Sequence, residues 1–369
     1  MVVTMRAAVY YGARDIRVED VAMPDPGPGE LLLEVHAAGV CGTDASEWAH
    51  GPMMFPVLAR NERSGHVGPM IPGHEFGGRV VARGRGVDGF PDGTLVASGA
   101  GVSCGKCPTC RRGLTNFCEV YLTVGLQRNG GLAQYVAVPA DVCLPVADLD
   151  LDDEGAALVQ PMAIAVHSLR QGHPDPGDLV IVIGVGGVGA FLVYAAAASG
   201  TRVVAIDLDG GRLEIAAALG AADTIKADRN EPLLSQISRV IRGSVAVVYE
   251  VTGVASALQA ALDLVEPRGR VVAVGLGIKP VPVDVRSLTL RELRLVGTNA
   301  HVFSADFADA ARLIGARTAG WADIAPVSLP LDRLVQDGLE PMAEGRSDRI
   351  KTLIDPWSTV IRPTSGSRR

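Results

Sequence analysis

The stretch VIVIGVGGVGAFLVYAAAASGTRVVAID, residues 180–207, decides how the rest of the chain is organised. It opens on a β-branched apolar run, breaks at Gly184-Val185-Gly186-Gly187-Val188-Gly189, continues through an alanine-rich segment and closes on a second β-branched run ending in Asp207. A GxGxxG between strand and helix has work for each glycine. Gly184 permits the tight bend, Gly186 lets backbone approach a pyrophosphate, and Gly189 lets the helix pack close to the strand. The phosphates then meet the free N–H groups and positive dipole end of that helix. The motif alone is a weak signal; Asp207, placed where a carboxylate accepts hydrogen bonds from an adenosine ribose, strengthens it and argues against a similar core that binds nothing. A membrane span is the other alternative, since residues 179–201 carry no charge and are long enough to cross a bilayer. The glycines in its first half interrupt such a helix, and Asp178 and Arg202 suit a soluble strand-turn-helix-strand unit equally well.

Working outward, helix-like segments (212–219, 255–265) alternate with strand-like ones (222–225, 245–249, 270–274, 293–296), which predicts an α/β unit with a doubly wound parallel sheet. Upstream, residues 5–11, 14–21 and 31–39 read as short strands, the last two separated by the turn-forming Pro24-Asp25-Pro26-Gly27-Pro28-Gly29. Residues 44–72 lack periodicity and read as a long surface excursion, the kind of loop that is usually functional or disordered. Residues 78–84 and 95–98 resume as strands, and 152–170, containing Gln160-Pro161, has a helix-compatible composition. From about residue 300 the alternation is lost, and 364–369 form a polar tail expected to lack order.

A chain of 369 residues with 48% hydrophobic side chains has material for about two domains and their cores. Its net charge of -7 leaves no footprint for nucleic acid and no polybasic membrane patch, so a small molecule is the expected partner. Arg6 and the missing apolar core at the start are unlike a secretory signal, and the cytoplasm is the expected compartment. Four of the six cysteines, Cys104, Cys107, Cys110 and Cys118, fall within one fifteen-residue window, a pattern that favours metal over disulfides. Four thiolates wrap a tetrahedral zinc ion and close it to substrate. A redox CxxC pair leaves two thiols unexplained, whereas an iron–sulfur cluster uses similar ligands and stays open. Cys143, in an apolar run, reads as an ordinary buried residue.

Taken in order, Gly39-Val40-Cys41-Gly42-Thr43-Asp44, Gly73-His74-Glu75, the four close cysteines and the GxGxxG resemble the zinc-dependent medium-chain alcohol and polyol dehydrogenases over nearly the whole chain. The spacing from Cys41 to His74, with Ser64-Gly65-His66 ahead of the GHE, looks most like the butanediol dehydrogenase branch, beside threonine, sorbitol and glucose dehydrogenases. The resemblance implies a GroES-like β-rich catalytic domain over 1–155 with a structural zinc lobe at about 101–120, a Rossmann NAD-binding domain over 156–298, and a return to the catalytic domain over 299–369. It also implies a homodimer or homotetramer.

Residue by residue, the resemblance places the catalytic zinc on Cys41, His74 and Glu75, a set that leaves a position for water or substrate. Gln160 stands where the polyol branch usually has glutamate. An amide there offers only a neutral oxygen, leaving the site one unit more positive, a stronger Lewis acid and a weaker zinc binder. Thr43 matches the hydroxyl that hands on the substrate proton, and Ser46 takes the place of a frequent relay histidine; His50 reads as a solvated loop residue. Gly184, Gly186, Gly187, Val188 and Gly189 match the pyrophosphate contacts, Asp207 the ribose and Arg212 the adenosine edge. Asp207 repels a 2′-phosphate, so NAD is expected over NADP, while Arg202 and Arg212 keep NADP open. Trp48, Phe55, Tyr121, Asn299 and His301 are candidates for the substrate pocket wall. The implied activity is hydride transfer between a secondary alcohol (a diol, polyol or cyclitol) and NAD, with zinc lowering the hydroxyl pKa. The alternatives are a zinc-free quinone or enoyl reductase of the same superfamily, against which the metal-ligand sets argue, and a non-catalytic NAD-binding protein, which Gln160 and Ser46 leave open.

Overall fold

Strands Leu179–Ile183 and Arg202–Asp207 lie side by side in parallel, and the glycine turn and helix Gly189–Ala198 connect them. The computed structural model describes residues 2–277 and 279–365. They divide into one unit of Met1–Ala163 with His301–Arg369 and another of Ile164–Ala300.

In the Ile164–Ala300 unit a parallel sheet runs in the order Asp223–Lys226, Arg202–Asp207, Leu179–Ile183, Val247–Glu250, Arg270–Ala273, Arg294–Gly297. The chain builds outward from Leu179–Ile183 in one direction, then crosses to its other side at Val247–Glu250. This reversal is what opens a ligand crevice at the carboxyl ends of a doubly wound sheet. Leu179–Ile183 is buried along its whole length, as a strand covered on both faces should be. Gly184 has φ +99°, and a Cβ on Gly189 would stand 1.9 Å from the Gly184 carbonyl oxygen, so both glycines are demanded by the fold. The membrane-span alternative fails: the uncharged stretch is a five-residue strand followed by a ten-residue helix. Among the described residues no helix is long and apolar enough to cross a membrane. Two helices, Leu233–Val240 and Val285–Leu290, fill connections that the sequence reading left unassigned.

The other unit is organised on Glu30–Val40, an eleven-residue strand. Register shifts between Leu32 and Leu33 and between Glu34 and Ala37 bend it. It pairs with Glu75–Arg83 along much of its length, with Tyr135–Pro139 through residues 30–34, and with the late strand Thr352–Asp355 through residues 38–40. Leu31, Leu33, Phe76, Val96, Leu132, Leu329 and Ile354 pack into the core around it.

Two expectations are corrected here. The excursion expected from residue 44 starts later, because Gly42–His50 is a helix burying Asp44, Ala45, Glu47 and Trp48. That spacing is one face of a short helix, which the polar residues between had masked. The polar tail is ordered at its beginning. The Thr364 hydroxyl donates to the Ala325 carbonyl (2.5 Å) and the Ser365 N–H to Glu154 (2.7 Å), so the chain is tied to the start of helix Asp153–Gly172. Residues 366–369 lie outside the described residues.

Candidate metal and dinucleotide sites

Cys41 caps helix Gly42–His50 at the end of the central strand, and its N–H donates to the carboxylate of Asp44 three residues on (3.0 Å). Such a reciprocal arrangement fixes the entry into a helix. Across the sheet, Gly39 pairs with Glu75, and a Cβ at residue 39 would stand 2.4 Å from a Glu75 carboxylate oxygen. The glycine makes room for that carboxylate. Ligand atoms of Cys41, His74 and Glu75 consequently lie within 4.8 Å of one another, with His74 and Glu75 buried.

Two charged residues that the sequence reading assigned no role complete this cluster. Asp44, 2% exposed, holds Oδ1 3.6 Å from His74 Nδ1, and both atoms are buried without a hydrogen-bond partner. Lys351, 3% exposed, stands just ahead of Thr352–Asp355 and places Nζ 2.5 Å from both Glu75 carboxylate oxygens. Burial works against the charged forms of His74 and Lys351. The negative groups around them, Asp44 and Cys41 for His74 and chiefly Glu75 and Cys41 for Lys351, outweigh it and hold both pKa values above the ordinary range. A pocket with sulfur, nitrogen and oxygen donors within 4.8 Å of one another and unpaired polar atoms beside them fits a divalent ion such as zinc. The available signals were a carboxylate at the third helical position after a capping cysteine and a lysine opening an apolar strand.

Gln160 is 7% exposed on helix Asp153–Gly172, whose path beside strand Glu75–Arg83 is marked by two contacts. Asp153 binds Arg79 at 3.0 Å, and a Cβ on Gly77 would stand 2.5 Å from that of Ala156. Helix and strand thus run in opposite senses, and Gln160, one turn beyond Ala156 on the same face, extrapolates to the Glu75 end. Thr43 is half-buried and Ser46 exposed one turn later, so the two hydroxyls share a helix face that leads to solvent; His50 is exposed.

The four-cysteine window closes on itself. Cys104, Cys107, Cys110 and Cys118 bring their sulfurs within 4.8 Å of one another above a ribbon of Gly101–Val102 and Leu122–Thr123. Backbone N–H groups of Cys104, Cys107 and Cys110 donate to the sulfurs of Cys118, Cys104 and Cys107. N–H groups of Glu119 and Cys110 pull the Cys107 thiol down to about 6, whereas burial pushes Cys110 up. Four sulfurs converging at this spacing form a set that fits a tetrahedral zinc ion, and none of the six cysteines is in a disulfide.

In the other unit, the Asp207 carboxylate accepts N–H groups from Val185 (2.7 Å) and Asp209 (3.0 Å), which fixes it against the glycine turn. Gly184 and Gly189 are packed against protein atoms, but a Cβ on Gly186 would meet none within 4 Å among the described residues. The fold alone does not require glycine at 186, and the open space there leaves room for a ligand to approach the backbone closely. Asp209 caps the next helix by accepting the Arg212 N–H (3.1 Å). Arg202 does not keep NADP open: it begins the strand that Asp207 ends, about 16 Å away at strand rise, and pairs with Asp223 at 2.8 Å.

The proposed pocket-wall residues divide. Phe55 packs edge-on against Tyr10 (centroids 4.9 Å apart) in a small core with Met70 and Leu126. Trp48 is buried beneath the Arg14 guanidinium, Tyr121 packs on Gly101, and His301 Nε2 lies 2.9 Å from the Gly99 carbonyl oxygen.

Residues 27–148 match the alcohol dehydrogenase GroES-like domain and 187–316 the zinc-binding dehydrogenase domain. The chain is 32% identical over 297 residues to a sorbitol dehydrogenase of Bacillus subtilis, covering 79% of this chain and 81% of that one. Its structure is similar to 2R,3R-butanediol dehydrogenase of Bacillus subtilis, with TM-score 0.86, 27% identity, and coverage of 95% of this chain and 99% of that one. It is also similar to a zinc-binding dehydrogenase of Sinorhizobium meliloti bound to NADP, with TM-score 0.84, 28% identity, and coverage of 96% and 100%.

Proposed function

The chain belongs to the zinc-dependent medium-chain alcohol and polyol dehydrogenases, and from that premise we propose which of its residues carry the reaction. It is an NAD-dependent alcohol or polyol oxidoreductase with a GroES-like unit and a Rossmann unit, and zinc and NAD are its cofactors. When bound, zinc supplies a Lewis acid that lowers the pKa of a substrate hydroxyl, and NAD supplies the hydride acceptor.

Cys41, His74 and Glu75 are the residues that hold the catalytic zinc, and their convergence, with Cys41 half-buried and the other two buried, is the observation that carries this reading. Asp44 lies on the Nδ1 side of the His74 ring, which would leave Nε2 to hold the metal. Lys351 offsets the charge of Glu75 and holds its carboxylate in place. Thr43 takes the substrate's hydroxyl proton and passes it along the helix face to Ser46 and solvent. Gln160 stands beside Glu75 as a neutral oxygen donor. Cys104, Cys107, Cys110 and Cys118 hold a second, structural zinc. Gly184, Gly186, Gly187, Val188 and Gly189 cradle the pyrophosphate; Asp207 takes the adenosine ribose and disfavours a 2′-phosphate, with Arg212 at the adenosine edge. The substrate is a secondary alcohol of the diol, polyol or cyclitol class.

The protein assembles as a homodimer or homotetramer. Among the described residues Arg294–Gly297 is the last strand of its sheet, with Leu295 39% exposed and Val285 and Leu290 exposed in the helix before it, which suits continuation of the sheet by a second copy. Six cysteines without a disulfide, five of them assigned to zinc, agree with a reducing cytoplasm. The test is a screen of diols, polyols and cyclitols followed by NADH absorbance, with metal content and molecular mass measured on the same sample. Zinc in both clusters, two ions per chain, together with NADH formation, is expected; metal-free protein that reduces quinones would overturn the assignment.

A further inference from the structure

Glu250 ends Val247–Glu250, the strand at which the sheet order reverses, and is 2% exposed. Its carboxylate folds back beneath the loop that follows. Oε1 accepts the N–H groups of Thr252 (2.8 Å) and Gly253 (3.1 Å), Oε2 accepts Gly253 again (3.0 Å), and the Thr252 hydroxyl donates to Oε1. That hydroxyl in turn accepts the Val254 N–H (3.0 Å). One buried acid thus satisfies a run of backbone donors that would otherwise point into a crevice unpaired.

The loop it holds is wedged between its neighbours. The Val251 N–H donates to the Ile183 carbonyl (2.9 Å), the last residue before the glycine turn. A Cβ on Gly184 would stand 2.7 Å from Thr252 Cγ2, and one on Gly275 would stand 2.1 Å from the Gly253 nitrogen. The loop is therefore the facing lip of the crevice whose first lip is the phosphate turn. Residues in this position, outside the carboxyl ends of the strands at the reversal point, border a bound dinucleotide.

We propose that Glu250 is a positioning residue for the cofactor: its carboxylate sets the 251–254 lip before the dinucleotide arrives, so that binding meets a formed crevice rather than ordering one. This rests on the assignment of the glycine turn as the dinucleotide seat. A glutamine would keep the size but put an NH2 group where one carboxylate oxygen accepts the Gly253 N–H, setting donor against donor and releasing the lip. An aspartate would keep the charge with a shorter reach.

The experiment is a fluorescence titration of the zinc-loaded protein with NADH, for wild type, Glu250→Gln, Glu250→Asp and Thr252→Val, with thermal unfolding and zinc content recorded alongside. The expected result is an NADH Kd about tenfold weaker in Glu250→Gln, the worth of a hydrogen bond to a charged group. Partial recovery in Glu250→Asp, a smaller loss in Thr252→Val and unchanged zinc should accompany it. In steady state, KM for NAD should rise while kcat holds. A folded Glu250→Gln that melts earlier yet binds NADH like wild type would overturn the inference and leave the dinucleotide seat standing. Wild type that binds neither NADH nor NADPH would overturn both. Should Glu250→Gln fail to fold, Thr252→Val decides, and an unchanged Kd there overturns the proposal.

Discussion

Lys351 holds its ammonium 2.5 Å from both carboxylate oxygens of Glu75, a buried pair formed by residues 276 positions apart. Removing one partner of a buried pair costs roughly 3 to 5 kcal/mol because the other charge is left uncompensated. A nearby metal cation supplies part of that compensation. Lys351→Met should therefore destabilise chelator-treated protein far more than zinc-loaded protein and should slow zinc loss to a competing chelator. Urea unfolding with and without metal measures the difference; equal destabilisation in both states would separate Lys351 from the metal site.

Asp44 faces Nδ1 of His74 at 3.6 Å, just beyond hydrogen-bond reach, so it would anchor the ring if His74 held a metal. An anchored imidazole is a more basic and better oriented ligand, and losing such a partner typically costs roughly 10- to 100-fold in metal affinity. Asp44→Asn keeps an oxygen for the Cys41 N–H but loses the charge. It should weaken zinc binding at this site by that factor and leave the four-cysteine zinc in place, so slow chelation should become biphasic.

Tyr10 is fully buried and donates its hydroxyl to the Glu47 carbonyl (3.0 Å), anchoring the far end of the helix that Cys41 caps. Burial, then the charge of Glu47, raises its pKa from 10.0 to about 12. The unfolded chain thus releases this proton near pH 10 while the folded protein retains it to about 12. Stability should fall across that interval at up to about 1.4 kcal/mol per pH unit from this residue, and below it the contribution is constant. Tyr10→Phe should flatten the alkaline limb in a series of unfolding curves while lowering stability at neutral pH through the lost hydrogen bond.

What could be read from the residues and what could not follows from how far each signal reaches. The glycine turn with its two flanking strands, and the four cysteines, are each complete within thirty residues or fewer, so spacing alone exposes them. Lys351 belongs to the site only because Thr352–Asp355 pairs with residues 38–40, and nothing in either segment names the other. Asp44 lies within Gly39–Asp44, but nothing local distinguishes a carboxylate that ends beside an imidazole about thirty residues on from one that faces solvent. Helix Gly42–His50 leaves little trace in the sequence because nine residues rich in Gly, Thr, Asp and Ser show scarcely two turns of apolar spacing. The hold of Glu250 on its loop is sequence-local, yet a buried acid at a strand end has no pattern to distinguish it from an exposed one.

Gln160 offers the sharpest test of the metal centre. The contacts Asp153–Arg79 and Ala156–Gly77 mark a helix descending towards Glu75, and the next residue on that face is Gln160, buried and neutral. In Gln160→Glu the new carboxylate joins Cys41, Asp44 and Glu75 against Lys351, so the pocket gains attraction for a divalent cation and zinc retention should rise on the order of tenfold or more. The same charge opposes ionisation of a substrate hydroxyl held there. The acid limb of the rate profile for alcohol oxidation should move to higher pH, by about one unit for a charge at contact distance. A competition assay with a chromogenic chelator reads the first effect and initial rates across pH 6 to 10 read the second. If both stay at wild-type values, Gln160 is a packing residue and the metal is held by Cys41, His74 and Glu75 without it.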